Sequence, residues 1–212
     1  MRHLVSAVLA GGVILSGISA AIAAPITAKE AKRELFKGPK MSVQLLDMSA
    51  AEETTRAQAE AIAKSLISPK IAAQWASMGF SIGYYGAMAV MPDRPLSPKS
   101  MAISNNLHSP AAAQAAALAA CNAMDGPDCI AVALILPKRY KPRDLTLSQA
   151  ATAAFRESWE RSVVPQYLAY STSTGAFVLA KGPGADSAAL ESCNNQAGIS
   201  GSDDCQIGIA DE

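Results

Sequence analysis

Two cysteine-bearing stretches of this chain repeat one another, and that repetition limits the fold more than any other feature. Ala116-Ala117-Leu118-Ala119-Ala120-Cys121-Asn122 matches Ala188-Ala189-Leu190-Glu191-Ser192-Cys193-Asn194. Each is followed by Asp-Cys at the head of an apolar run, Asp128-Cys129 and Asp204-Cys205. Alanine-rich helices match one another cheaply, but a helix-end Cys-Asn followed in the same order by a strand-start Asp-Cys does not. Four cysteines allow three pairings. In each copy one cysteine ends a helix and the other begins the following strand, so a short loop lets their Cβ atoms meet. The expected bridges are therefore Cys121–Cys129 and Cys193–Cys205. Closing these loops constrains the unfolded chain by about 2.6 and about 2.9 kcal/mol. That matters here because half the residues are hydrophobic but much of that share is alanine, and aromatics are only 5%. Such helices bury little apolar area per residue. The spacings C-x7-C and C-x11-C are not the C-x2-C pair of zinc or redox sites.

The flanking sequence completes each copy. In the first, residues 84–137, Tyr85 to Met91 reads as a strand, a loop with Pro92, Pro95 and Pro98 follows, and Ser100 to Asn106 reads as a second strand. Ser109 is an N-cap with Pro110 in the first helical position. Cys129 to Leu136 is an apolar strand ended by Pro137. In the second, residues 166–212, Tyr167 to Tyr170 and Ala176 to Ala180 flank a Ser173-Thr174-Gly175 turn. Asp186 is the expected cap of a short helix ending near Cys193, and Cys205 to Ala210 is the last strand. Two β-β-α-β units predict an α+β fold: one antiparallel-rich sheet with helices on one face, with two separate small cores as the alternative. Residues 138–165 form a connector whose helix, from Ser148 to about Arg161, presents Ala151, Phe155 and Trp159 on one side. Residues 24–80 form an N-terminal helical segment. It holds a helix over 26–37, a short strand over 41–46, and a helix to about Ile67 begun by a Ser49–Glu52 capping box. A further helix starts at Pro69, with Ile71, Trp75 and Met78 on one face, and stops at Gly79.

The N-terminus reads as a cleaved export leader, residues 1–23. Arg2 is positive, Leu4 to Ile18 is apolar and uncharged, and Ala21-Ile22-Ala23 offers the small residues that signal peptidase reads. Removing it takes Arg2 from the 18 basic residues and leaves 17 against 18 acidic. With no basic surplus, nucleic-acid binding is not expected, although Lys138, Arg139, Lys141 and Arg143 make a local basic patch. No later stretch is long and apolar enough to span a membrane after processing. The expected compartment is periplasmic or secreted, where four cysteines pair.

The unit resembles a family of secreted bacterial domains, domain-of-unknown-function family 4189. The resemblance lies in Tyr85-Gly86-Ala87, Ser173-Thr174-Gly175-Ala176, both Ala-Ala-Leu-x-x-Cys segments, and Cys129 and Cys205. It covers about half the chain and is better in the second copy. In the first, the proline-rich insertion replaces the tight hairpin, so its first two strands are not expected to pair as neighbours. The resemblance implies an exported, disulfide-stabilised module in tandem and no particular reaction. Proteins of this look sometimes carry the product name 5-aminolevulinate synthase. That chemistry needs pyridoxal phosphate on a lysine, an acid at the pyridinium nitrogen and a large two-domain scaffold, none of which this chain offers.

No catalytic constellation stands out, and no cofactor or metal is expected. After the leader the only histidine is His108, just before Ser109-Pro110, where a lone histidine is ordinarily a surface or capping residue. Ser-x-x-Lys, His-Glu-x-x-His and phosphate-loop patterns are missing. Asp125 and Asp128, and Asp203 and Asp204, lie in the disulfide loops, where Asp before a strand is usually turn chemistry. A carboxylate hydrolase would need two acids facing one another across a cleft. Metal binding by Asp203, Asp204, Asp211 and Glu212 is a remoter reading. Tyr84, Tyr85, Tyr167 and Tyr170 fall in corresponding strand regions, and Lys181-Gly182-Pro183-Gly184 lies beside them. The candidate binding residues are Tyr85, Tyr167, Tyr170 and Lys181, as an aromatic surface for an envelope protein or a cell-wall component. The leading expectation is a non-catalytic envelope binding module; the rivals are a periplasmic carboxylate hydrolase and an inhibitor or immunity-type protein.

Overall fold

The structure is a computed structural model and describes residues 24–77, 82–126 and 128–212. The expected leader, Met78 and Gly79 lie outside these residues, as does the side chain of Trp75. The fold is α+β, with six helices and seven strands among the described residues. The strands make two antiparallel sheets, where the sequence suggested one shared sheet.

In the first unit β2 (Gly86–Val90) is central, between β3 (Met101–Ser104) and β4 (Ile130–Pro137). β1 (Met41–Leu45) pairs along the other edge of β4, so a strand of the N-terminal segment belongs to this sheet. In the second unit β5 (Gln166–Ser171) is central, between β6 (Phe177–Lys181) and β7 (Cys205–Asp211). Strand order is the same in both: the first strand lies in the middle, the last on one side and the second on the other.

The first two strands of the first unit do pair, contrary to the expectation from the proline insertion. The insertion closes on itself. Met91 N–H donates to the Ser100 carbonyl at 2.9 Å, and the buried Ser100 Oγ donates to the Pro95 carbonyl at 2.7 Å. The loop thus returns the chain in antiparallel register, Ala87 opposite Ser104.

The central strands are buried on both faces, so a single helical layer could not cover them. β2 is buried throughout, its Ala87 and Ala89 against α4 (Pro110–Asn122) and its Met88 and Val90 against α2 (Glu53–Leu66). β5 turns Ala169 toward α6 (Ala185–Gly198) and Leu168 toward α1 (Ala28–Glu34) and α5 (Gln149–Ser158). Helices therefore lie on both faces of each sheet rather than on one. The N-terminal segment is shared out, α1 to the second unit and α2 to the first. A nine-residue helix, α3 (Pro69–Ser77), follows α2 and starts at proline as expected.

Several helix boundaries differ from the sequence reading. Ser49 does not cap α2; its N–H and hydroxyl both bond Asp47 at 2.9 and 3.1 Å, closing a local turn, and the helix starts at Glu53. The capping box forms instead at α1, where Thr27 and Glu30 satisfy each other's backbone N–H groups. α6 begins after Gly184, whose φ of 74° suits glycine, and runs five residues past Cys193; Asp186 lies in its first turn, not at its cap. Ser109 caps α4 as expected, and Ser148, read as the first residue of its helix, caps α5 instead.

Candidate functional site

The two disulfides are Cys121–Cys129 and Cys193–Cys205, each with Cα atoms 6.0 Å apart. The asparagine after each helix cysteine explains why it belongs to the motif. Asn122 Oδ1 accepts from the Cys129 N–H at 2.8 Å, and Asn194 Oδ1 accepts from the Cys205 N–H at 2.9 Å. Sulfur and amide thus clamp the same strand residue to the same helix turn, and the strand's first N–H is satisfied before its ladder begins.

Both units also carry a bulge at one place. Between Met88 and Ala89 the partner strand skips Val132, and between Leu168 and Ala169 it skips Gly208. The extra residue shares a buried cluster with Val90 in the first unit and lies against Tyr170 in the second. A Cβ on Gly208 would lie 2.6 Å from the Tyr170 ring, which is why a large side chain here demands glycine opposite.

This register separates the tyrosines. Tyr85 lies one residue before β2 and is buried, edge-on to Tyr84 and Tyr140 at 5.4 and 5.9 Å; burial pushes its phenol far up. Pro165, not a tyrosine, precedes β5. Tyr167 lies on the α6 face of its sheet and its hydroxyl reaches Glu212 at 3.4 Å. Tyr170 lies on the opposite face, where its hydroxyl accepts from Gln206 Nε2 at 2.7 Å. Lys181 Nζ is paired with Glu160 at 2.5 Å. The four candidate residues are not brought together on one surface.

His108 is neither on the surface nor a cap. It is 1% exposed, and its ring joins three parts of the chain. Nδ1 accepts from the Ser148 N–H at 3.0 Å. A backbone N–H can only donate, so the proton is on Nε2, which donates to the Ala176 carbonyl at 3.0 Å. The ring packs edge-on to Tyr170 at 5.2 Å. Burial is the main cause that holds its pKa down at about 4, against smaller upward pulls from the Ala176 and Gly175 carbonyls and from Asp204. Both nitrogens are engaged, so the ring is a structural bridge between the first unit, the cap of α5 and the second unit's hairpin. Two glycines of the motifs each permit a close backbone approach. A Cβ on Gly86 would approach the Ser104 carbonyl to 2.7 Å, and one on Gly175 would approach the Asn106 carbonyl to 2.9 Å.

Two of the candidate acids, Asp204 and Asp211, are each committed to partners of their own. Asp204 accepts from Ser171 Oγ and Thr172 Oγ1 at 2.5 and 2.6 Å. Partial burial pushes its carboxyl up, but the hydroxyls of Ser171, Thr172 and Ser173 together hold it below the ordinary value. Asp211 accepts from the Ala28 N–H and from Trp159 Nε1, both at 3.0 Å. Among the described residues no group of three or more metal-ligating side chains is assembled.

One cleft is formed at a place the sequence did not single out. It holds about 590 Å³ and is lined by Ala28, Lys29, Lys32, Arg33, Trp159, Arg161 and Asp211. Its wall is α1, whose Ala28 and Ala31 bury against Phe155 and Trp159 while Lys29, Lys32 and Arg33 share the outer turn at i, i+3 and i+4. A seven-residue helix is marginal alone. Here the capping box and Asp211 hold its start, and Arg143 Nη1 donates to the Arg33 and Glu34 carbonyls at its end, 2.6 and 2.5 Å away, with the guanidinium 4.2 Å from the Phe36 ring centre. The cleft's single carboxylate is already spent on Ala28 and Trp159. The spacing of the three cations was readable, but the arrival of Arg161 and Trp159 beside them depends on α5 and β7 and was not.

Taken as a class, this is a disulfide-clamped α+β protein of two like-ordered three-strand units with a basic cleft on the second. Compared with protein-family models, curated proteins and solved structures, the chain has no match.

Proposed function

We propose that this chain is an exported, non-catalytic binding module of the bacterial envelope, built by duplication of one β-β-α-β unit, and that it takes an anionic ligand in the cleft along α1. The observation that carries this reading is the cleft itself: four cations, Lys29, Lys32, Arg33 and Arg161, around one carboxylate that is already hydrogen-bonded twice. A cleft with like charges held together favours counter-charge, and its volume suits a ligand of several rings or residues.

Export is supported by the leader-like residues 1–23 and by the two disulfides, which persist in oxidising compartments. No helix among the described residues is long and apolar enough to cross a membrane. The common strand order, bulge position and Asn-backed disulfide support duplication, and with it kinship to domain-of-unknown-function family 4189. The non-catalytic part rests on His108, whose two nitrogens are both committed to backbone groups.

The test uses the full chain expressed in a bacterium. The expected result is a periplasmic or secreted product beginning at Ala24, with bridges 121–129 and 193–205 by non-reducing peptide mapping. It should bind solubilised cell-wall and envelope material by calorimetry, and Lys32→Glu/Arg33→Glu should abolish that binding. A cytoplasmic product with free thiols would overturn the export reading. Binding unchanged by the double charge reversal would overturn the cleft as the site.

A further inference from the structure

Two smaller clefts are lined in part by the segment that follows α1. One, of about 210 Å³, is lined by Gly38, Tyr84, Gln149, Thr152 and Arg156 among others. The next, of about 260 Å³, shares Gly38 and is lined by Lys37, Lys40, Lys138 and Arg139 beside Phe36. Four cations line the first cleft, one the second and four the third, nine in all, against the carboxylates Asp211 and Glu157. The ion pairs found among the described residues are Lys64–Glu60 and Lys181–Glu160, so none of the nine is paired. A chain with near-zero net charge thus places half of its 18 lysines and arginines around these three clefts, which only two carboxylates line.

We infer that this path binds an extended acidic glycan, a chain of sugars bearing carboxylates, laid across all three clefts. This rests on the binding-module reading and names its ligand class. The middle cleft decides between polyanions. There the side-chain oxygen of Gln149 is buried and has no hydrogen-bond partner. Gln149 lines the cleft, so turning its amide outward would bring this orphaned acceptor to a donor on the ligand. A sugar hydroxyl supplies one between two anionic groups; a polyphosphate chain supplies only acceptors. Single-stranded nucleic acid could supply donors, but it binds chiefly by stacking bases on open aromatic faces. Here Tyr84 is 1% and Trp159 8% exposed, so those faces are closed.

The experiment titrates the full disulfide-bonded chain with oligogalacturonate of two and of eight residues, neutral cello-oligosaccharide, polyphosphate and single-stranded DNA, each at low and at physiological salt. The uronate octamer should bind tightest and weaken steeply with salt. Lys32→Glu/Arg33→Glu in the first cleft and Lys138→Glu/Arg139→Glu in the third should each cost about tenfold or more for the octamer, and the third-cleft pair should leave the dimer unaffected. Gln149→Leu should weaken uronate and leave any polyphosphate binding unchanged. Circular dichroism and thermal melting of each variant separate lost charge from lost fold. Polyphosphate or DNA binding as tightly as the octamer would overturn the glycan assignment. Equal affinity for dimer and octamer would overturn the extended path. If envelope material binds but no uronate does, this inference falls and the binding module stands; if neither binds, both fall.

Discussion

Acid should loosen this protein through one buried ring. In the folded chain His108 is held at a pKa of about 4, while an unfolded histidine titrates near 6.5. Between those values the unfolded chain takes up a proton that the folded one refuses, so unfolding is favoured as pH falls. The contribution is fully present above about pH 6.5 and is lost progressively toward pH 4. A gap of about 2.5 units corresponds to about 3 kcal/mol, an order-of-magnitude figure. Protonation must occur at Nδ1, which now accepts from Ser148, so the charged ring would face an N–H instead of receiving it. The charged or titratable groups around the ring are Asp204 and the half-buried Tyr170. Asp204 acts in a separate window, since its lowered carboxyl withdraws stability only as pH falls through the carboxylate range. The assay is urea unfolding at pH 7.5, 5.5 and 4.5 for the wild type and His108→Gln. Glutamine keeps a donor for the Ala176 carbonyl but carries no titrating proton. It should be less stable at pH 7.5 by about 1–3 kcal/mol, with the gap closing by pH 4.5. Parallel pH slopes for the two proteins would refute the argument.

Two more predictions concern the clamps. Asn194→Ala leaves the Cys205 N–H without its 2.9 Å partner and should cost about 1–2 kcal/mol by urea unfolding, with Asn194→Asp much milder; equal effects would show that the amide oxygen is not what matters. Gly208→Val places a Cβ against the Tyr170 ring and should cost about 1–3 kcal/mol, whereas the double variant with Tyr170→Val, which copies the Val132–Val90 pair of the first unit, should cost less than the sum. Additive costs in that cycle would sink the account of the bulge.

Local chemistry was legible in the sequence and long-range pairing was not. The Cys-Asn and Asp-Cys motif fixed both bridges because cap, disulfide and strand start all lie within a dozen residues. Ser109-Pro110 read correctly for the same reason. The sequence reading placed a capping box at Ser49–Glu52, and the box at Thr27–Glu30 went unread. Only the second formed, since Asp47 captured Ser49 first. Sheet membership depends on which edges meet, and strands of four to eight residues carry little record of that. Hence β1 was read as a strand but not as an edge of the first unit's sheet, and two sheets passed for one. His108 looked ordinary because its partners, Ser148 and Ala176, lie 40 and 68 residues away. The basic path escaped notice because its cations come from four separate segments.

The parallel bridge of Ile26 to Ile209 has a consequence for assembly. Ile26 N–H bonds the Gly208 carbonyl and Ala210 N–H bonds the Ile26 carbonyl, so the earliest described segment is stitched to the latest strand. α1 docks on β7 and covers the underside of the second sheet, a contact spanning nearly the whole described length. Such closure is slow to form, because a long loop must shut before anything rewards it. Until residue 211 has been made, Leu168 and Phe155 lack their lid, and a nascent chain of this protein needs something else to shelter them.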